Sequence, residues 1–114
     1  MESSAYFLIL HLGASSSELK PLKQQARKKV LKEALGLLGL HKTPEEALLA
    51  AIYCLEQSTL VNAGSGSCLT ADCRAEMDAA FLWQSAPSKE KAFGAVTMVD
   101  RPVSACKLAF DLYR

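Results

Sequence analysis

The segment Ala47-Leu48-Leu49-Ala50-Ala51-Ile52-Tyr53-Cys54-Leu55 constrains this chain most, because as a helix it is apolar on nearly every face. Such a helix needs cover on most sides, so the sequence must build a layered fold around it rather than leave it on a surface. Its start is marked by Thr43-Pro44-Glu45-Glu46. Thr43 caps, Pro44 brings the φ of a first turn, and Glu46 completes a capping box. A chain of 114 residues, half of them hydrophobic, supplies one domain and is too apolar for disorder.

Other elements follow from pattern. Ala5 to Leu10 is a short apolar run closed by His11-Leu12-Gly13 and reads as a strand buried on both faces. Ser15 to Ser17 offer caps for a helix from Glu18 to Leu38. Its apolar stripe runs through Leu22, Ala26, Val30, Leu31, Ala34, Leu35 and Leu38, with lysines and arginine opposite. Beyond the apolar helix, a short strand is expected near Cys68 to Thr70, then a turn at Ala71 to Arg74. Further strands are expected from about Ala75 to Trp83 and from Ala92 to Val99. Asp100-Arg101-Pro102 reads as the entry to a last helix through Phe110.

Charge and cysteine usage exclude several classes. Thirteen basic against twelve acidic residues leave a net charge of +1, which does not suit a nucleic-acid binder acting through bulk electrostatics. The basic helix face lacks interleaved aromatics for stacking and reads as solvated. No nucleic-acid partner is expected. The N-terminal apolar run is too short for a membrane span or a signal h-region, so no membrane partner is expected either. Cys54, Cys68, Cys73 and Cys106 form no C-x-x-C pair, which predicts reduced thiols in an intracellular setting, cytoplasmic or nuclear.

The run Leu55 to Ser67 ends in Asn62-Ala63-Gly64-Ser65-Gly66-Ser67. A phosphate-binding loop needs a strand before the glycines and a helix after them, and here the order is reversed. Two readings stay open. The glycines serve a tight turn at positive φ, or they turn carbonyl oxygens inward around a hard cation. Glu76 and Asp78, two apart on a strand, share a face. They are either an acid–base pair or, as is commoner, one cap for loop amides and one solvated carboxylate. His11 is either a base at a strand end or a structural histidine.

Taken in order, these motifs resemble the asparaginase-type N-terminal nucleophile hydrolases, the threonine aspartases and isoaspartyl peptidase/asparaginases. His11-Leu12-Gly13-Ala14-Ser15 resembles the loop closing that family's first strand. Leu55-Glu56 through Ser67 resembles its Leu-Glu…Asn-Ala-Gly-x-Gly-Ser signature, and Glu76-Met77-Asp78-Ala79 its Glu-x-Asp-Ala strand. Gly94-Ala95-Val96 and Arg101-Pro102-Val103 resemble the next strand and helix entry, and the opening tripeptide leans toward threonine aspartase.

The resemblance implies an α/β architecture, a partial αββα sandwich with helices packed on an incomplete mixed sheet. It implies an amidohydrolase or threonine-type peptidase whose precursor cleaves itself to expose a nucleophilic threonine. No cofactor is required. A structural sodium ion is implied on the backbone oxygens of Leu55, Glu56, Ser58, Val61, Ala63 and Ser65. Asn62, Gly64, Gly66, His11 and Gly13 would support the active site, with Asn62 ordering the nucleophile. Ser15, Leu12 and Cys73 stand where the family carries smaller, freer residues.

The family's nucleophile follows a glycine, whereas Thr43, Thr59, Thr70 and Thr97 follow Lys, Ser, Leu and Val. The expectation is therefore that residues 1–114 form the N-terminal portion of a single domain, with no catalytic residue in this chain and no activity alone. Its partner would be a C-terminal segment or β-subunit. The alternative is a non-catalytic paralogue that binds or regulates an intact family member.

Overall fold

The computed structural model describes residues 6–13, 20–84, 86–100 and 104–113. Among these, three helices and one two-stranded antiparallel sheet follow in the order α1 (Pro21–Gly36), α2 (Pro44–Glu56), β1 (Met77–Gln84), β2 (Lys91–Val99) and α3 (Ala105–Tyr113). Single 3-10 turns at Leu38–Leu40 and Gly64–Gly66 follow the first two helices.

The α2 start is as the sequence predicts. Thr43 is extended, its hydroxyl accepts from the Glu46 amide at 3.3 Å, and Pro44 opens the helix. One side of α2 enters the core through Ala47, Ala51 and Leu55, where Ala51 and Leu55 cluster with Ala34 of α1 and Val61 of the following loop. The expected cover is largely present, since from Ala47 to Leu55 every residue but Tyr53, 53% exposed, is buried or half-buried. α1, both 3-10 turns and α3 lie against α2, and the segment 6–13 packs on the core that α2 shares with α1.

α1 starts at Pro21 after Lys20, with no side-chain cap, and its predicted caps at Ser15 to Ser17 lie outside the described residues. Its apolar stripe is uncovered at its start and packs from Ala26 onward. Ala34 is fully buried and Val30 half-buried, while Leu22 is 81% exposed.

The expected first strand needs correcting. Residues 6–13 pair with no strand among the described residues, and their exposure alternates. Leu8, Leu10 and Leu12 pack on the α1–α2 core, whereas Phe7 and Ile9 are 83% and 78% exposed. The segment thus has the two-residue alternation of a strand with one covered face, not the double burial read from its continuous apolar composition. Tyr6 anchors its beginning, its hydroxyl lying 2.6 Å from the His41 carbonyl and 3.1 Å from that of Leu38.

The strand expected near Cys68 reduces to one bridge between Leu69 and Ala75 around a tight turn. Cys73 takes φ +59 there, the left-handed conformation a glycine adopts freely. β1 and β2 lie close to their predicted bounds. In the ladder Leu82 faces Phe93 and Phe81 faces Gly94. Between Met77 and Ala79 the register slips at a bulge, where Met98 has φ +54. The Asp78 carboxylate accepts from the Met98 amide at 2.9 Å and so holds the bulge.

One face of this hairpin receives α3. Phe81, 3% exposed, meets Phe110 edge-on at 5.0 Å and Tyr113 at 5.1 Å, a geometry worth roughly 0.5–1.5 kcal/mol per ring pair beyond burial. Gly94 permits the contact, because a Cβ there would overlap the Ala109 carbonyl oxygen and stand 2.7 Å from the Tyr113 amide nitrogen. The entry to α3 differs from the expected cap at Asp100. Ser104 does the capping, its hydroxyl accepting from the Lys107 amide at 3.1 Å, and Arg101 to Val103 lie outside the described residues. No helix among the described residues is long and apolar enough to cross a membrane.

Candidate functional site

The site begins where α2 runs out of helix. Gln57 and Ser58 donate back to the carbonyls of Tyr53 and Leu55, each at 3.1 Å, and the chain then turns sharply through Val61 to the Gly64–Gly66 turn. Two glycines make that turn possible. Gly64 has φ +54, and a Cβ there would overlap the Glu56 carbonyl oxygen and lie 2.7 Å from that residue's carbonyl carbon and Cα. A Cβ on Gly66 would overlap the Val61 carbonyl oxygen and lie 2.7 Å from that of Ser58. Three carbonyls of the predicted ligand set, those of Glu56, Ser58 and Val61, therefore face the glycine turn at backbone contact.

The other predicted ligands are partly engaged in forming the turn. The Leu55 carbonyl accepts from Ser58, that of Val61 from Ala63 at 2.8 Å, and that of Ala63 from Gly66 at 3.1 Å. Each carbonyl keeps a second lone pair. Ser65 is exposed on the turn itself. A set of uncharged carbonyl oxygens fits a hard cation of low charge. Among the described residues no group of three His, Cys, Asp or Glu side chains could hold a metal, so a carboxylate-rich centre is not what these residues form.

Asn62 fastens the loop from outside. Its side-chain oxygen accepts from the Cys68 amide at 2.8 Å, spanning the glycine turn. Between His11 and Gly13, Leu12 packs, as Ala63 does, against the core cluster that holds Leu55 and Val61. His11 itself is exposed, and its Nδ1 accepts from the Gly13 amide at 3.1 Å, while Gly13 takes φ +92. In the described residues that histidine shapes a turn. The Arg27 guanidinium also donates to the Leu12 carbonyl at 3.3 Å.

Glu76 and Asp78 do share an exposed face, but Asp78 is committed to the bulge amide, the commoner of the two readings of this pair. Two of the four threonines are likewise occupied structurally. Thr43 caps α2, and the Thr70 hydroxyl accepts from the Arg74 amide at 3.2 Å.

Sequence reasoning missed the side chain of Glu56. It is 6% exposed, and its Oε1 accepts from the Cys106 amide at 3.2 Å, in the first turn of α3. Its Oε2 is buried with no hydrogen-bond partner. The contact spans fifty positions in sequence, so no local spacing could have shown it. Burial and the adjacent Glu56 charge together push the Cys106 thiol up to about 11. A cleft of about 1070 Å³ opens beside these groups, lined by Leu49, Tyr53 and Glu56 of α2, Gly64 and Ser65 of the turn, and Lys107 of α3.

This loop, with two glycines packed on backbone carbonyls at the end of α2, belongs to a chain with known relatives. The asparaginase family matches residues 4–112. The chain is 35% identical over 105 residues to a plant-type L-asparaginase of Pyrobaculum calidifontis, a match that takes in 90% of this chain and 34% of that relative. The chain belongs to the asparaginase family and spans about a third of the length of the curated relative it matches.

Proposed function

We propose that this chain is the supporting portion of a threonine-type amidohydrolase site, of the kind that hydrolyses the side-chain amide of asparagine or an aspartyl or isoaspartyl peptide bond. The observation that carries the reading is the glycine turn pressed against the carbonyls of Glu56, Ser58 and Val61, within the family match. In this reading the loop holds a sodium ion on the oxygens of Leu55, Glu56, Ser58, Val61, Ala63 and Ser65. A bound cation supplies rigidity rather than chemistry. Asn62 and Cys68 close the loop, and the strand-like segment ending at His11 and Gly13 backs it.

The nucleophile is not in this chain. The sequence has no Gly-Thr, and both Thr43 and Thr70 serve backbone amides. The complete site would be a full αββα sandwich in which a C-terminal segment or β-subunit brings the threonine. The outward hairpin face supports the need for such cover, with Leu82 and Phe93 opposite each other and 70% and 64% exposed. The same face supports a second reading, a module that binds an intact family member. The test is hydrolysis by the purified 114-residue chain of L-asparagine, an isoaspartyl dipeptide and an aspartyl-site peptide. No product above the uncatalysed rate is expected, and enzyme-dependent turnover of any of them would overturn the proposal.

A further inference from the structure

Glu56 is the buried charged residue of the described chain, and it occupies two positions at once. Its backbone carbonyl faces Gly64 in the loop, and its carboxylate reaches across to the amide of Cys106 at the start of α3. The α3 N-terminus offers roughly half a positive charge, so it offsets only part of a full carboxylate charge. Oε2 is left with no donor, and no Lys, Arg or His pairs with Glu56 among the described residues. A buried anion so placed costs several kcal/mol unless a positive centre lies nearby. Carbonyl oxygens aim their negative ends at the same turn, which makes the imbalance worse rather than better. The carbonyl oxygens of Glu56, Ser58 and Val61 press on the glycine turn, and the residue joining it to α3 carries a carboxylate.

We propose that the Glu56 carboxylate is the counter-charge of a monovalent cation in the Glu56–Gly66 loop, and that it ties cation occupancy to the docking of α3. The inference rests on the cation reading given above and adds what that reading lacks, a source of charge and a route to the rest of the fold. It also sets the cation's class. One carboxylate, already shared with a helix terminus, balances a single positive charge, whereas a divalent ion draws on several carboxylates. Glu56 acts here as a positioning residue, through the loop and through Cys106.

The test uses the full chain and reads thermal melting in sodium chloride against choline chloride at equal ionic strength. Wild type should melt higher in sodium, with a saturable dependence on its concentration. Glu56→Gln keeps an oxygen for the Cys106 amide and removes the charge. Its apparent sodium affinity should fall by at least about tenfold, the effect of one charge about 12 Å or less away at an effective dielectric near 20. Glu56→Asp keeps the charge and should retain a sodium response. Glu33→Gln removes one charge from an exposed side chain of α1 and should leave the response unchanged. If Glu56→Gln yields no cooperative melt, sodium-23 line broadening on the folded Asp variant and wild type reads the same affinities. A Gln variant with wild-type sodium affinity, or an Asp variant that loses the response, overturns the counter-charge proposal while leaving loop binding intact. A wild type that does not distinguish sodium from choline overturns both.

Discussion

Gly64→Ala is the substitution that bears most directly on the loop. Alanine at φ +54 costs about 1–2 kcal/mol from the left-handed backbone alone. The stiffer unfolded chain offsets about 0.4–1 kcal/mol of that. The steric part is larger. The new methyl would overlap the Glu56 carbonyl oxygen and approach its carbonyl carbon and Cα to 2.7 Å, and backbone cannot rotate out of the way as a side chain can. The loop must lift from the end of α2, drawing Val61 away from Leu55, both 5% exposed. Re-exposing part of those two side chains costs about another 2 kcal/mol. The net loss is about 3 kcal/mol, a large share of the roughly 5–15 kcal/mol that stabilises a domain. Urea unfolding followed by circular dichroism reads this as a midpoint lower by about 1.5 M at a slope near 2 kcal/mol per M. Gly39→Ala is the control, since nothing lies within 4 Å of a Cβ there, and it should stay within about 0.5 kcal/mol of wild type. A Gly64→Ala midpoint equal to that of Gly39→Ala, at unchanged slope, would refute the packing argument.

Gly94→Ala should push α3 off the hairpin, because its Cβ would overlap the Ala109 carbonyl. The near-ultraviolet signal of the Phe81, Phe110 and Tyr113 cluster should collapse while far-ultraviolet helicity largely persists, and an intact aromatic signal would contradict this. For Cys106 the thiol is raised from 9.0 to about 11 on folding, so the unfolded chain releases its proton first as pH rises. That contribution to stability is complete below pH 9 and is lost as pH climbs toward 11. The wild-type melting temperature should therefore fall more steeply across that window than that of Cys106→Ala, and parallel curves would count against it.

Much of the fold was legible because its signals are local. Thr43, Pro44 and Glu46 act within one turn, and the Gly-x-Gly run shows its need for positive φ at Gly64 without reference to distant residues. β1 and β2 were readable from their alternation. What the sequence hid depends on distant partners. The run 5–10 is as apolar as a doubly buried strand, yet only its even positions from Leu8 to Leu12 find a core among the described residues. Asp100 looks like a cap, but the cap oxygen belongs to Ser104, four residues on, because α3 starts later than the Asp-Arg-Pro chemistry suggests. Glu56 reads as the polar end of an apolar helix, and only the approach of Cys106 gives its carboxylate a role. In the candidate site, the loop was legible and its electrostatics were not.

The central claim is that none of the four threonines is an activated nucleophile. Intact-mass spectrometry of the purified chain over several days tests this most directly, since family members of this type expose their nucleophile by cutting themselves. One species at 12.3 kDa is expected throughout. Fragments beginning at Thr43, Thr59, Thr70 or Thr97 would contradict it, for they would place a working nucleophile inside this chain.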